Sequence, residues 1–204
     1  MDSELELNLR KLIAEREIRR QLFGYQEAIN RADFRALAEF FGDARIATVS
    51  SPNPDELHGV INGGEQFAEG FRTSVNFYDG SPRVQYCASN VIVDVSDLLD
   101  SATCHAYFFI FQALGDHDYR NPASPREFPL QPIGCGRYFD TYRYEDGKWR
   151  IRERQIYSDL SGDYSRHMRL SPLAMAEEEG FLAQQEGANL RPTAENSSAR
   201  SALR

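Results

Sequence analysis

Apolar residues recur at helical spacing along the front of the chain, at Leu5, Leu9, Leu12, Ile13, Ile18, Leu22 and Ile29. That spacing predicts one long helix over residues 4–31. Asp33 suits an N-cap, and the amphipathic text FRALAEFF behind it makes a short second helix. Gly42-Asp43 breaks the pattern before the strand-like RIATVS. SSPNPDE, with two prolines close together, reads as a loop, and LHGVI as a short strand. Gly63-Gly64 precedes a third helix over residues 65–77, and YDGSPR is a further loop. The period then changes. RVQYCASNVIVDV and ATCHAYFFIFQAL read as strands joined by the turn SDLLD, and GDHDYRNPASPREFPLQP as a long loop with four prolines. A loop of that length more often has a function than not.

The last periodic stretch, residues 133–163, reads as two long strands around Asp146-Gly147, a dipeptide suited to a type I′ hairpin turn. That turn sets a register: Tyr144 opposite Trp149, Tyr142 opposite Ile151, Asp140 opposite Glu153, Tyr138 opposite Gln155, and Gly136 opposite Tyr157. All of these share one face, because side chains alternate along a strand. The face begins as core at the turn and becomes polar further away. That is how the wall of a cavity reads; the alternative is a half-wet face whose register is shifted by a bulge. The other face carries Arg143 with Arg150, Thr141 with Arg152, and Phe139 with Arg154.

Ser171-Pro172 suits the start of a short helix, and from about Glu186 the text is polar and aperiodic, as disordered segments are. The domain expected is residues 1–170, with 171–204 a short helix and tail. Helices first and a run of strands after them predict an α+β domain: a curved antiparallel sheet with helices across its concave side.

Composition narrows the partners. The chain has 204 residues with 41% hydrophobic and 26% charged content, enough for one sizeable core. A formal net charge of −8 argues against nucleic acid as the main partner. Three cysteines without a metal-type spacing read as reduced thiols of a cytoplasmic protein. The acidic start MDSELELNLRKL lacks the apolar core of a signal peptide, and no run is long and apolar enough to span a bilayer. The four histidines share no metal-ligand spacing, so neither metal nor other cofactor is expected.

Three stretches carry a resemblance: IRRQLFGYQEAINRADFRALAEFFGDA, VQYCASNVIVDV and GRYFDTYRYEDGKWRIRERQIYSDLSGD. Together they resemble the SnoaL-like branch of the nuclear-transport-factor-2-like superfamily, over residues 15–163. The resemblance implies a cone, a bent sheet closed by helices around an apolar pocket. Its members include scytalone dehydratase, polyketide cyclases, ketosteroid isomerase, a hexachlorocyclohexane dehydrochlorinase and the small subunit of ring-hydroxylating dioxygenases. In dehydratase and dehydrochlorinase members an Asp near the end of the first helix pairs with a His on a middle strand. Those positions look like Asn30 and Tyr86 here. Tyr25 matches the oxyanion-hole tyrosine of ketosteroid isomerase, whose general base falls near Thr48.

With both known sets incomplete, the candidates come from position. Asp140 and Glu153, if opposed and buried, would share a proton and supply a base. The alternative is that Arg137, Arg152 or Arg154 pairs with them, or that they lie at a wet edge. Tyr25 and Tyr86 would give hydrogen bonds to a carbonyl or phenol oxygen. Asn30, Gln112, Tyr138 and Tyr157 would line the substrate site. His105, on the opposite parity from Gln112, is expected to face away from it. His167 could fold over the pocket as part of a lid. The function expected is a cofactor-free lyase or isomerase, of the dehydratase or cyclase type, acting on a small hydrophobic cyclic substrate. The alternatives are a ligand-binding module without chemistry, or a structural small subunit of a ring-hydroxylating oxygenase. A homo-oligomer, dimer or trimer, is expected through the outer face of the sheet.

Overall fold

The computed structural model describes residues 2–49, 59–78, 80–113 and 130–169. The predicted 114–129 part of the proline-rich loop, the C-terminal helix and the tail lie outside the described residues. Three helices, α1 (Asp2–Arg31), α2 (Phe34–Phe41) and α3 (Gly64–Ser74), accompany six strands. The strands are β1 (Arg45–Val49), β2 (Gly59–Asn62), β3 (Val84–Val95), β4 (Ser101–Ala113), β5 (Leu130–Glu145) and β6 (Lys148–Ser161). They form one open sheet in the order β2-β1-β6-β5-β4-β3. Among the pairings of this sheet only β1 with β6 is parallel. The predicted α+β class and helix-covered curved sheet are those observed.

Local sequence explains the helices. Asp33 caps α2, its carboxylate accepting from the Ala36 amide at 3.0 Å. Ile18, Leu22, Tyr25 and Ile29 of α1 are buried against the inner side chains of β4 (Ala102, Cys104, Ala106, Phe108 and Ile110) in one core. Leu5, Leu9 and Leu12, on the first turns of α1, are exposed. The strands bend where pairing is interrupted: between Ser89 and Ile92 on β3, Ile110 and Phe111 on β4, and at two places on the β5–β6 ribbon. Asn90, in the first of these interruptions, takes φ +50°, a value that asparagine tolerates.

The hairpin turn is at Asp146-Gly147, with φ +51° and +76°, as a type I′ turn requires. Tyr144 opposes Trp149 and Tyr142 opposes Ile151, as expected, although Tyr144 lies past the helices and is exposed rather than core. Beyond them the register differs from the sequence expectation. Thr141 opposes Glu153, so Arg152 is an extra residue on β6 and every later side chain on that strand changes face. Asp140 therefore opposes Arg154, Tyr138 opposes Ile156, and Arg137 opposes Tyr157. In that same register Gly136 opposes Ser158, and a second shift then sets Cys135 opposite Leu160.

Residues 162–169 form a strap that returns across the sheet to the end of α3. The Gly162 amide donates to the Ile133 carbonyl at 2.8 Å, Asn76 to His167 at 2.8 Å, and Arg169 to Ser74 at 2.6 Å. Val75 and Met168 form a bridge.

Two glycines separate conformation from space. At Gly147 nothing stands within contact of an added Cβ, so only the positive φ opposes a side chain. At Gly136 a Cβ would collide with the Tyr157 carbonyl and the Phe108 ring. Gly147→Ala is expected to cost about 1 kcal/mol, and Gly136→Ala about 2–3 kcal/mol or more, because a backbone carbonyl must move. Urea denaturation of the two variants measures both, and equal losses would contradict the crowding at Gly136.

Candidate functional site

The bulge at Arg152 turns Arg154 inward, where its side chain and that of Asp140 are both fully buried. Arg154 Nε donates to Asp140 Oδ1 at 2.7 Å and Nη2 to Oδ2 at 2.6 Å. The Tyr142 hydroxyl also reaches Oδ2, at 3.4 Å. The guanidinium carbon lies 4.3 Å from the Tyr25 ring centroid and 4.4 Å from that of Tyr138. Phe40 and Phe41 follow at 5.1 and 5.4 Å. Burial alone would lower the Arg154 pKa, but the charge and hydrogen bonds of Asp140 hold it well above the usual arginine value. Burial pushes the phenols of Tyr138 and Tyr142 well up and that of Tyr25 up, so all three are neutral donors. Burial, helped by the Asp140 charge, raises the Cys104 thiol to about 12. Arg154 Nη1 is buried without a hydrogen-bond partner among the described residues.

Asp140 and Glu153 are consequently not opposed, and they lie on opposite faces of the sheet. Glu153 stands on the outer face, in an ion pair with Arg45 and accepting from Gln155 Nε2 at 3.4 Å. Tyr157 is also on the outer face. Its hydroxyl donates to Gln155 Oε1 at 3.0 Å, and its ring meets Phe139 edge-on at 5.3 Å. His105 faces away from the concave side as expected, stacked on Phe139 at 4.4 Å. Arg143 pairs with Asp100 at 3.8 Å, Arg150 with Asp146 at 4.0 Å, and Arg152 with Asp43 at 2.8 Å as well as with Glu145. The basic stripe is thus three arginines long, with Arg154 absent from it.

A second polar group lies on the inner side of β3. Asn30 clamps the Tyr86 backbone: the Tyr86 amide donates to Asn30 Oδ1 at 2.7 Å, and Asn30 Nδ2 to the Tyr86 carbonyl at 3.1 Å. The Tyr86 hydroxyl is 2.7 Å from His167 Nε2. His167, on the strap, is fully buried, and burial pushes its pKa down to about 4. Nearby β4 places Gln112 inward, buried, with neither amide atom hydrogen-bonded.

The concave side therefore gathers Tyr25, Tyr138, Asp140, Tyr86 and Gln112, with Asn30 acting on backbone, and it excludes Glu153 and Tyr157. Arg154 was expected only as one of three possible ion partners of the acidic pair, and it is the one that pairs with Asp140; the bulge decides its inward face. His167 was expected only as part of a lid, from its place just after the hairpin. Among the described residues no three His, Cys, Asp or Glu side chains are grouped to hold a metal ion. A groove of about 710 Å³ runs between α1, α2 and the hairpin turn, past Arg20, Gln21, Phe40 and Trp149, and shares Tyr25 with the concave side. It includes neither Asp140 nor Tyr86 nor His167.

Two predictions follow from these burials. Arg154→Met leaves a buried carboxylate alone and is expected to cost about 3–5 kcal/mol, as is Asp140→Leu for the stranded guanidinium. Arg154→Met with Asp140→Leu should recover most of that loss in a denaturation cycle, and strict additivity of the singles would refute the coupling. The second concerns acid. His167 titrates lower folded, about 4, than unfolded, 6.5, so the unfolded chain binds the extra proton between those values. Stability should then be unaffected above pH 6.5 and fall as pH drops toward 4, by up to about 3 kcal/mol. His167→Gln should lack this part of the pH dependence; identical pH–stability curves would show that the ring is not buried neutral.

A SnoaL-like domain model matches residues 10–155. No curated protein matches the chain. Solved structures share the fold at low identity. A candidate scytalone dehydratase of Novosphingobium aromaticivorans is 21% identical with a TM-score of 0.53, over 77% of this chain and 91% of its own. The beta subunit of a candidate aromatic-ring-hydroxylating dioxygenase from the same organism is 13% identical with a TM-score of 0.57, over 80% and 96%. An NTF2-like protein with a cystatin-like fold, also from that organism, is 18% identical with a TM-score of 0.55, over 85% and 94%. The helix-covered curved sheet and the match across most of its length place this chain in the SnoaL-like domain family.

Proposed function

We propose that this chain takes a small hydrophobic cyclic molecule into the concave side of its sheet and acts on it, without a cofactor, as a lyase or isomerase of the dehydratase or cyclase type. One observation carries the reading. On the concave side, Arg154 Nη1 and both amide atoms of Gln112 have hydrogen-bonding capacity that no group among the described residues uses. A buried polar atom left unpaired costs about 1–3 kcal/mol, and an oxygen-bearing ligand would relieve that cost. Tyr25, Tyr86 and Tyr138 are neutral phenols suited to bond a carbonyl oxygen on which charge develops. Asn30 serves by fixing the Tyr86 backbone. Asp140, engaged twice by Arg154, has the role of orienting the guanidinium rather than of abstracting a proton.

That same engagement favours a second reading, a binding module or structural small subunit without chemistry, since no free inward carboxylate remains among the described residues. On the outer face Tyr107, Phe109 and Phe139 are exposed. Such a surface suits a second copy, in a dimer or trimer, or another subunit. The three free thiols, Cys87, Cys104 and Cys135, fit the reducing cytoplasm. Among the described residues no helix is long and apolar enough to cross a membrane.

The test uses the full chain with 2-tetralone in deuterated water, with binding and α-proton exchange both followed by NMR. Catalysed exchange is expected, with solvent water taking the α-proton while the phenols hold the enolate oxygen, and slowed about tenfold or more by Tyr25→Phe and by Tyr86→Phe. Binding without exchange would establish the second reading. Failure of this and related cyclic ketones to bind would refute the enzyme and the binding module alike and leave the structural subunit.

A further inference from the structure

Helix α1 carries two apolar faces. Ala14, Ile18, Leu22, Tyr25 and Ile29 form the one buried in the core. Leu5, Leu9, Leu12, Ile13 and Phe23 form the other, and all five are exposed. At about 100° per residue the two faces stand roughly 160° apart around the helix. Two contacts fix its rotation. Lys11 pairs with Asp97, in the turn between β3 and β4, and Gln21 Nε2 donates to the Trp149 carbonyl at 2.9 Å. The outer stripe therefore cannot turn inward. It runs along roughly 27 Å of helix, and a continuous apolar surface rimmed by charge marks an interaction site.

The charges along the helix decide what covers it. Glu4 and Glu6 stand on the first turns, and Arg16 and Arg20 about three turns later. Arg10 and Arg19 are neutralised within the helix by Glu6 and Glu15, as Lys11 is by Asp97. Arg16 and Arg20 are exposed beside the stripe and have no ion pair among the described residues. A helix that lies on a membrane carries an excess of basic residues on its polar face. Here Glu6, Glu15 and Glu17 flank the stripe, and an anionic surface would repel them. A parallel copy of α1 would set Arg16 and Arg20 against themselves. An antiparallel copy, related by a two-fold axis near Ile13, does the reverse. Residues 6 and 20 lie equally far from 13, and residues 5 and 23 nearly so. Arg20 of each copy then meets Glu6 of the other, and Phe23 meets Leu5.

We propose that α1 pairs with α1 of a second copy of this chain, antiparallel about a two-fold axis near Ile13, in an interface separate from the outer face of the sheet. One patch then serves both copies, as an isologous contact requires. Leu9, Leu12 and Ile13, nearest the axis, form its apolar centre, and the Glu6–Arg20 pairs stand at either end. The contact does not depend on what the concave side binds.

Sedimentation equilibrium of the full chain tests it. Leu9→Glu together with Leu12→Glu, both on the solvent side of the fold, is expected to halve the mass of the assembly and to leave the far-ultraviolet circular dichroism helical. Reversing one charge, by Glu6→Lys or by Arg20→Glu, should weaken association on the order of tenfold, and the two reversals together should restore it. A mass unchanged by the leucine variant overturns the proposal and leaves any assembly to the face of the sheet. Charge reversals that fail to rescue each other overturn the antiparallel pairing. A full chain that stays monomeric overturns the proposal outright. If that monomer also binds phosphatidylglycerol vesicles, and the leucine variant does not, the stripe belongs to a lipid surface instead.

Discussion

One buried cation organises this molecule. Arg154 belongs to β6, its counter-ion Asp140 to β5, and the rings over its faces to α1, α2 and β5. Removing a guanidinium from water costs several kcal/mol. The cost is offset only if the charge is met in the plane by a two-pronged carboxylate and above and below by aromatic faces. Those conditions can be satisfied together only when both helices lie across the sheet at the observed place. A lysine, with a point charge and no planar fork, could not satisfy them in the same way. The ion pair thus specifies the docking of α1 and α2 onto the sheet more than it adds stability.

Much of the architecture was legible because it rests on local rules. The apolar period of α1, the Asp33 cap and the Asp-Gly turn each act over a few residues, and each stands where its text places it. The register beyond Tyr142 was not legible, for a specific reason. From Arg152 to Gln155 every residue is polar, and the next two, Ile156 and Tyr157, offer one large side chain to either parity. Hydrophobic pattern usually fixes register; here it is silent, and packing around Arg154 decides. The opposition of Asp140 and Glu153 failed on that single extra residue, while Tyr25, Tyr86, Gln112 and Tyr138, on elements without that ambiguity, kept their inward placement.

The partner of Tyr86 was illegible for a different reason. His167 is far from Tyr86 in the chain, and the strap that carries it has no strand or helix period to orient it. Its position depends on main-chain bonds to Asn76 and Ser74 at the end of α3 and to Tyr164 within the strap itself. Such bonds are blind to side-chain identity and leave no sequence trace.

The clamp between Asn30 and the Tyr86 backbone has an evolutionary consequence. An amide is suited there because it both gives and receives. An ionised aspartate at residue 30 could still accept from the Tyr86 amide, but it would turn a second negative oxygen against the Tyr86 carbonyl. Exchange of Asn30 for aspartate on its own would therefore loosen the join between helix and strand, whereas exchange of the Tyr86 side chain, whose backbone alone is clamped, would leave that join intact. The order in which these two positions can change is set by which of them holds main chain.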